Sequence, residues 1–219
     1  MTSIAAALDR HWRRWRGGGA GIAQRWVVLD TETSGLDPAR DLLLSIGAVA
    51  IDPQGIRLGD SMEVVLHNDR VGDRHNIAVH GIGYGAQSEG TPLAQALGEL
   101  IGYVADAPCV GFHCAFDQAV LANAATRAGI KLPRWRWLDV AALAAALDAQ
   151  RYRDGCRDLD GWLGATGIAV AARHNAAADA LATAELLLHL RARAEPPARM
   201  NFAALARIAR QQRWLAGGD

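Results

Sequence analysis

The sequence has few of the residues that mark a disulfide-bonded or zinc-binding protein. Its 219 residues include three cysteines, Cys109, Cys114 and Cys156, and no two of them form a CxxC pair. An odd number of cysteines without such a pair argues against both a disulfide framework and a zinc site. We therefore expect a protein of the reducing cytoplasm.

Long apolar runs are also missing. The alanine-rich run at 140–149 contains Asp148 and is too short to cross a bilayer, which takes roughly 18 or more apolar residues. Residues 1–16 lack the apolar segment of a secretory signal. The expectation is a soluble protein with no membrane partner.

The chain has no net charge, because 23 basic residues balance 23 acidic ones. Net charge therefore gives no support to a broad nucleic-acid-binding surface. It leaves room for a local site, since an enzyme that holds a phosphodiester through metal ions needs acidic ligands, and these lower the net charge.

Apolar residues make up 51% of the chain and charged residues 21%, as in ordinary globular proteins. We divide the chain into a basic and aromatic extension at 1–25, a domain at 26–195 and a C-terminal helical extension at 196–219. A helix at 4–15 carries arginines beside tryptophans, for which packing on the domain is favoured over a nucleic-acid contact. The last amphipathic stretch, 202–215, fits a packed helix or a docking tail.

The domain begins with strands and continues with alternating helices and strands. Strands are predicted at 26–29, at 42–51 and within 56–66, with a turn at 52–55. Thr91 is predicted as the N-cap of the next helix, with Pro92 at its first position. The remaining elements are strands at 108–111 and 137–139 and helices at 115–128, 140–149, 158–164 and 175–193. This order predicts an α/β domain with a mixed central sheet flanked by helices.

Two acids provide the first sign of chemistry. Asp30 and Glu32 follow the first apolar strand and are spaced by two. Alternate residues of an extended chain point to the same side, so both carboxylates can reach one point. Oxygen ligands of this kind suit Mg²⁺ or Mn²⁺. A solvated loop is the alternative interpretation of this motif alone.

Two further acids stand in the first turns of predicted helices. Asp117 follows the strand at 108–111, and Asp179 follows His174 by five residues. The helix dipole favours an acid at such a position, so a structural role is the alternative for Asp117. His174 can approach an attacking water while Asp179 binds metal, or His174 and Asn175 can simply cap the helix.

Taken together, the three motifs resemble the DEDDh family of 3′→5′ exonucleases, which includes the proofreading epsilon subunit of bacterial DNA polymerase III. The family pattern D-x-E-T-[TS]-G matches residues 30–35. The family's six-residue motif H-N-A-x-F-D resembles the five residues 113–117, H-C-A-F-D, when Cys114 is placed at the asparagine. H-x-x-x-x-D matches residues 174–179, and V-H-G-I matches residues 79–82. The resemblance covers about residues 26–193 and implies a ribonuclease H-like fold.

The resemblance also implies a mechanism with two ions, Mg²⁺ or Mn²⁺. Asp30 would bridge both ions, Glu32 and Asp179 would complete the site of one, and Asp117 would hold the other. Two such ions stabilise the attacking and leaving oxygens of an in-line displacement. His174 would take the proton from the attacking water. The product would be a nucleoside 5′-monophosphate.

Five residues are predicted to hold the substrate strand at a single-stranded or frayed 3′ end of DNA. They are Thr31, Thr33, His80, Cys114 and Phe116. Cys114 stands where the family has asparagine and is a poor hydrogen-bond donor, so substrate affinity or preference is expected to differ.

Three alternatives remain open at the level of sequence. The first is an RNA-trimming or oligoribonuclease-like enzyme with the same catalytic residues. The second is a non-catalytic scaffold for a polymerase or clamp, and the third is a metal-dependent phosphatase. A proofreading role would require a DNA polymerase subunit as partner, since the chain has no polymerase domain.

Overall fold

A five-stranded mixed sheet forms the centre of the molecule. The computed structural model describes residues 25–68, 81–170, 172–199 and 201–216. The strands are β1 (Trp26–Thr33), β2 (Leu43–Asp52), β3 (Gly55–Val65), β4 (Cys109–Gly111) and β5 (Trp137–Asp139), in the order β3-β2-β1-β4-β5. The first three pair antiparallel, and β4 and β5 add in parallel to β1. The predicted mixed sheet is therefore confirmed.

Helices flank this sheet. They are α1 (Tyr84–Ser88), α2 (Leu93–Val104), α3 (Ala115–Ala128), α4 (Val140–Leu147), α5 (Ala149–Arg153), α6 (Leu159–Thr166), α7 (Ala176–Arg191) and α8 (Phe202–Ala216). The helix predicted at 115–128 has the observed bounds. It ends where Gly129 adopts the left-handed conformation (φ 65°), which glycine enters without steric cost.

β1 divides the apolar core into two layers. Val27 and Leu29 pack with α2 and α3, whereas Val28 packs with α4, α6, α7 and α8. Side chains alternate along a strand, so Asp30 and Glu32 continue the series of Val28. The two acids therefore lie on the face of the sheet that α7 covers.

Three predicted boundaries were wrong. The first strand continues to Thr33, so Asp30 and Glu32 lie on β1 and not after it. Thr91 does not cap α2, because its backbone pairs with Leu66 beside the end of β3 and Pro92 takes the cap position. The helix predicted at 140–149 ends at Leu147, since Asp148 leaves helical geometry and caps α5.

The last helix packs on the sheet. Phe202, Leu205, Ala206 and Ala209 of α8 are buried in the layer that contains Trp26. The rings of Trp26 and Phe202 meet edge to face, 5.4 Å between centroids. Of the two interpretations of this stretch, the structure shows the packed helix. The helix predicted at 4–15 lies outside the described residues.

Within the described ranges, none of the helices combines the length and the apolar character that crossing a membrane requires.

Candidate active site

Three carboxylates meet where β1 faces the start of α7. Asp30 and Glu32 come from alternate positions of β1, and Asp179 comes from the first turn of α7. One oxygen of each lies within 4.8 Å of the others. The convergence that the spacing of the acids predicts is thus present in the structure.

A glycine allows α7 to approach the sheet this closely. Gly47 of β2 stands opposite Asp30 in the strand register. A Cβ atom at Gly47 would lie 2.1 Å from the Ala176 carbonyl carbon, far inside van der Waals contact. A side chain there would push the first turn of α7 outward, and with it Asp179.

Gly47→Ala is therefore expected to lower the free energy of unfolding by about 1–3 kcal/mol, the usual range for forced overpacking, or by more. Hydrolytic activity should fall as well, because Asp179 moves away from Asp30. Gly59→Ala is the matched control, since a Cβ on that β3 glycine meets no atom within 4 Å. Denaturant unfolding and activity of both variants check this, and equal values for the two would contradict it.

The turn before α7 is built around its polar residues. Asn175 caps the helix by accepting from the Ala178 N–H at 2.9 Å, and its amide donates to Glu63 of β3 at 2.9 Å. His174 adopts a left-handed conformation (φ 60°) and donates its backbone N–H to Asp179 Oδ2 at 3.1 Å. Asn175 therefore carries out the capping, and the His174 side chain is exposed.

Asp117 approaches from the other layer of the core. It lies buried in the first turn of α3, and its Oδ1 accepts from the Thr31 hydroxyl at 2.8 Å. It is not one of the three acids that share the 4.8 Å cluster. Its charge nevertheless acts on Asp30. The structure thus places the fourth acid next to the cluster and fixes its orientation through Thr31.

Burial and mutual repulsion oppose the ionisation of these acids. Burial first, and then the charges of Asp117, Asp179 and Glu32, raise the pKa of Asp30 well above its ordinary value. Burial and the Asp179 charge raise the pKa of Glu32 to about 7. Burial also raises the pKa of Asp117 to about 7, against the lowering effect of the Thr31 hydrogen bond. Such a cluster gains stability when a cation enters it.

Arg173, which the sequence motifs did not single out, supplies part of that positive charge. Arg173 forms an ion pair with Asp179 through Nη1 and donates from Nε to Asp160 of α6 at 2.5 Å. The Arg173 charge also acts on Asp30 and Glu32, where it partly opposes the rise in pKa that burial causes. No short motif connects residues 160 and 173, so only their proximity in the fold identifies them.

The predicted substrate residues fall into different environments. The Thr33 hydroxyl donates to the Gly35 carbonyl at 2.6 Å, and the Phe116 side chain is partly buried against the layer of α2 and α3. Cys114 is buried, and its sulfur accepts from Gln118 at 3.3 Å. His80 lies outside the described residues. Substrate contacts by these residues stay predictions.

The donor set fits a divalent cation. The ligands are carboxylate oxygens, which Mg²⁺ and Mn²⁺ prefer. Asp179 Oδ1 is buried, and the cation at ion-pair distance from it is the Arg173 guanidinium. A buried carboxylate oxygen of this kind is costly without a cation beside it. The cluster can therefore hold a metal ion.

A model of the RNase T exonuclease family matches residues 27–187. The PolC-type DNA polymerase III of Thermotoga maritima is 30% identical over 168 residues, which cover 74% of this chain and 12% of the relative. The PolC-type enzyme of Thermotoga petrophila is 29% identical with the same coverage. The chain thus spans a small part of the length of the curated relatives it matches.

Solved exonuclease structures share the fold. Exonuclease I superimposes with a TM-score of 0.69 at 18% identity, over 82% of this chain and 43% of that chain. E. coli Exonuclease I in complex with a dA16 oligonucleotide gives 0.66 at 18% identity, over 82% and 42%. Exonuclease X in complex with 5′ overhanging duplex DNA gives 0.63 at 18% identity, over 84% and 99%.

These neighbours have the ribonuclease H-like fold, which confirms the predicted fold class. The family model spans residues 27–187, well over half of the chain, and includes the three converging acids. The chain therefore belongs to the RNase T family of DEDD-type exonucleases and is a nuclease.

Proposed function

We propose that this nuclease removes nucleoside 5′-monophosphates one at a time from the 3′ end of single-stranded or frayed DNA. The observation that carries the proposal is the convergence of Asp30, Glu32 and Asp179 within 4.8 Å, where Asp179 also accepts the backbone N–H of the exposed residue His174. Hydrolysis of a phosphodiester uses both kinds of group. Acids hold the cations that neutralise the charge of the phosphate, and a base accepts the proton of the attacking water.

Asp30, Glu32, Asp117 and Asp179 would hold two ions, Mg²⁺ or Mn²⁺. When bound, the two ions stabilise the attacking and leaving oxygens of an in-line displacement. Thr31 keeps the Asp117 carboxylate turned toward Asp30, and the His174 backbone N–H keeps Asp179 in place. These hydrogen bonds hold the ligands in position before the substrate arrives, which lowers the cost of assembling the site.

His174 is the proposed general base. Imidazole is the side chain best suited to exchange a proton near neutral pH. The left-handed turn at His174 and the Asn175 cap fix the backbone from which the ring extends, and the residue is exposed to solvent. The residue can therefore accept a proton from water that attacks the terminal phosphodiester.

The C-terminal end of β1 is the proposed binding site of the terminal nucleotide. β1 pairs with β4 at Val27 and Val28 and then runs past the end of β4, so the main chain from Thr31 to Thr33 borders the acid cluster. Just beyond it, Leu36 exposes 92% of its side chain. An exposed apolar side chain that follows this end of β1 can pack against the face of a base.

Leu36→Ala is expected to weaken single-stranded DNA binding about five- to tenfold, since full burial of a leucine side chain contributes about 1.5–3 kcal/mol and contact with one base covers only part of it. The affinity for Mn²⁺ should stay unchanged, because Leu36 is no ligand. Fluorescence anisotropy with labelled DNA measures the first and calorimetry the second. Leu58→Ala, at another largely exposed leucine (66%), is the control that should leave both unchanged. A Leu36 variant that binds DNA like wild type would contradict the contact.

DNA is favoured over RNA because solved neighbours of this fold were determined with DNA bound, among them Exonuclease I with dA16 and Exonuclease X with duplex DNA. A polymerase partner, of the kind that an epsilon-type proofreading subunit has, is proposed from the PolC-type relatives. Pull-down with the polymerase subunit of the same organism tests the partner, and a nuclease that elutes alone would contradict it.

The experiment for the proposed function compares DNA strands labelled at the 5′ end, with the 3′ end either free or blocked by an inverted nucleotide. The free strand should shorten stepwise in Mg²⁺ and stay intact in chelator, whereas the blocked strand should persist. An RNA of the same sequence should be degraded more slowly. Internal cleavage of the blocked strand, or release of the 5′ label first, would contradict the proposed polarity.

A further inference from the structure

The ion pair between Arg173 and Asp179 lies inside the acid cluster. Asp179 offers two oxygens: Oδ2 accepts the His174 N–H at 3.1 Å, and Oδ1 contacts the Arg173 guanidinium. The Asp179 side chain is 7% exposed and the Arg173 side chain 25%, so solvent screens this pair weakly. The guanidinium therefore neutralises an oxygen that a bound metal would need.

Arg173 also has a second acid partner outside the cluster. Its Nε donates to Asp160 Oδ1 at 2.5 Å, and the Asp160 side chain is 62% exposed. Asp160 comes from α6 and Asp179 from α7, so the guanidinium spans the gap between a surface acid and a cluster acid. Because both contacts exist at once, Arg173 can give up Asp179 and still keep Asp160.

We propose that Arg173 acts as the counter-cation of the metal centre. Its guanidinium pairs with Asp179 before a metal binds and releases Asp179 to the entering divalent ion. Asp160 then retains the guanidinium. The inference rests on the metal centre proposed above. It makes Arg173 and Asp160 determinants of metal affinity with opposite effects.

The opposite effects follow from charge. Arg173 competes with the metal for Asp179, and its positive charge reaches Asp30 and Glu32 as well. Removing it takes away both the competitor and the repulsion. Asp160 holds the guanidinium after it leaves Asp179. Without Asp160, Arg173 keeps only Asp179 of these two partners and competes more strongly with the metal. A purely structural ion-pair network would instead weaken metal binding in both cases.

The test is Mn²⁺ binding by the full-length protein, measured by isothermal titration calorimetry at pH 8 without nucleic acid. Arg173→Gln should tighten Mn²⁺ binding about tenfold, at the lower end of what changes beside metal ligands produce. Asp160→Asn should weaken it about two- to fivefold, as expected for a partly exposed ion pair. Arg173→Lys keeps the positive charge and should stay within about twofold of wild type.

A double variant separates coupling from simple loss of charge. If Asp160 acts through Arg173, Asp160→Asn should have at most a marginal effect in the Arg173→Gln background, and the cycle should show coupling. Weaker or unchanged binding by Arg173→Gln, or a full Asp160→Asn effect in that background, would overturn the inference. Failure of the wild type itself to bind Mn²⁺ would instead contradict the proposed metal centre.

Discussion

Asp30→Asn is expected to reduce hydrolysis at least about a thousandfold and, at the same time, to stabilise the metal-free protein. The activity loss follows because Asp30 is the proposed ligand of both ions, which contribute several kcal/mol of charge stabilisation in the transition state. The gain in stability follows because the carboxylate is buried among Asp117, Asp179 and Glu32. Asparagine has nearly the same shape and carries no charge.

The gain should depend on pH. The pKa values of Glu32 and Asp117 are raised to about 7 in the folded protein, above the ordinary values of 4.5 and 3.8. Below their ordinary pKa values these groups are protonated in both the folded and the unfolded chain. As the pH rises toward 7 the unfolded chain releases its protons first, so the folded state loses stability. The metal-free wild type should therefore melt lower at pH 8 than at pH 5.

Melting curves in chelator at pH 5 and pH 8 measure this effect. Asp30→Asn should lose less stability across the interval than wild type, because one charge of the cluster is gone. Asp106→Asn, at an exposed acid, is the control and should follow the wild type. An inactive Asp30→Asn that melts below wild type at pH 8 would show that the cluster is not under electrostatic strain.

His174→Ala is expected to lower kcat by about 10²–10⁴-fold, the usual contribution of a positioned acid or base. DNA binding and Mn²⁺ affinity should change little, because the ring is exposed and only the His174 backbone N–H contacts a proposed ligand. Single-turnover kinetics on a 5′-labelled strand separate the chemical step from binding. A variant that loses binding and keeps kcat would show that His174 is not the base.

His113 supplies a matched control for this variant. Like His174, His113 is exposed, has a left-handed backbone conformation (φ 52°) and lies in the turn before a helix, here between β4 and α3. Its Nε2 lies 3.1 Å from the Arg157 carbonyl oxygen, and it belongs to the H-x-A-F-D motif. His113→Ala should retain most of the turnover, since the backbone N–H of His113 contacts Asp139, whereas that of His174 contacts Asp179 of the converging acids.

The site acids could be predicted because their chemistry is local. The spacing of Asp30 and Glu32 places them on one face wherever the chain is extended. The prediction failed on where the strand ends, since polar residues usually follow a strand. Here β2 continues to pair with β1 past Glu32, opposite Ser45, as far as Thr33, opposite Leu43, and this keeps the acids on the strand. Pairing with β2, and not the residues of β1 alone, determined where β1 ends.

Other parts of the site depend on contacts between distant segments. Gly47 belongs to an unremarkable apolar strand, and its role becomes visible only where α7 crosses it. Arg173 and Asp160 are 13 residues apart on different elements. Cys114 was predicted to contact the substrate strand, and its side chain is buried and takes part in packing. Sequence patterns describe single elements, whereas these features arise from how elements meet.

The most direct test of the metal centre is anomalous diffraction from crystals grown with Mn²⁺ and a nucleoside 5′-monophosphate. The account predicts an anomalous peak bound by Asp30, Glu32 and Asp179, and a second one between Asp30 and Asp117. Arg173 should then contact Asp160 and no longer Asp179. Peaks absent from these carboxylates, in crystals of protein that degrades DNA in the same Mn²⁺ buffer, would contradict the account.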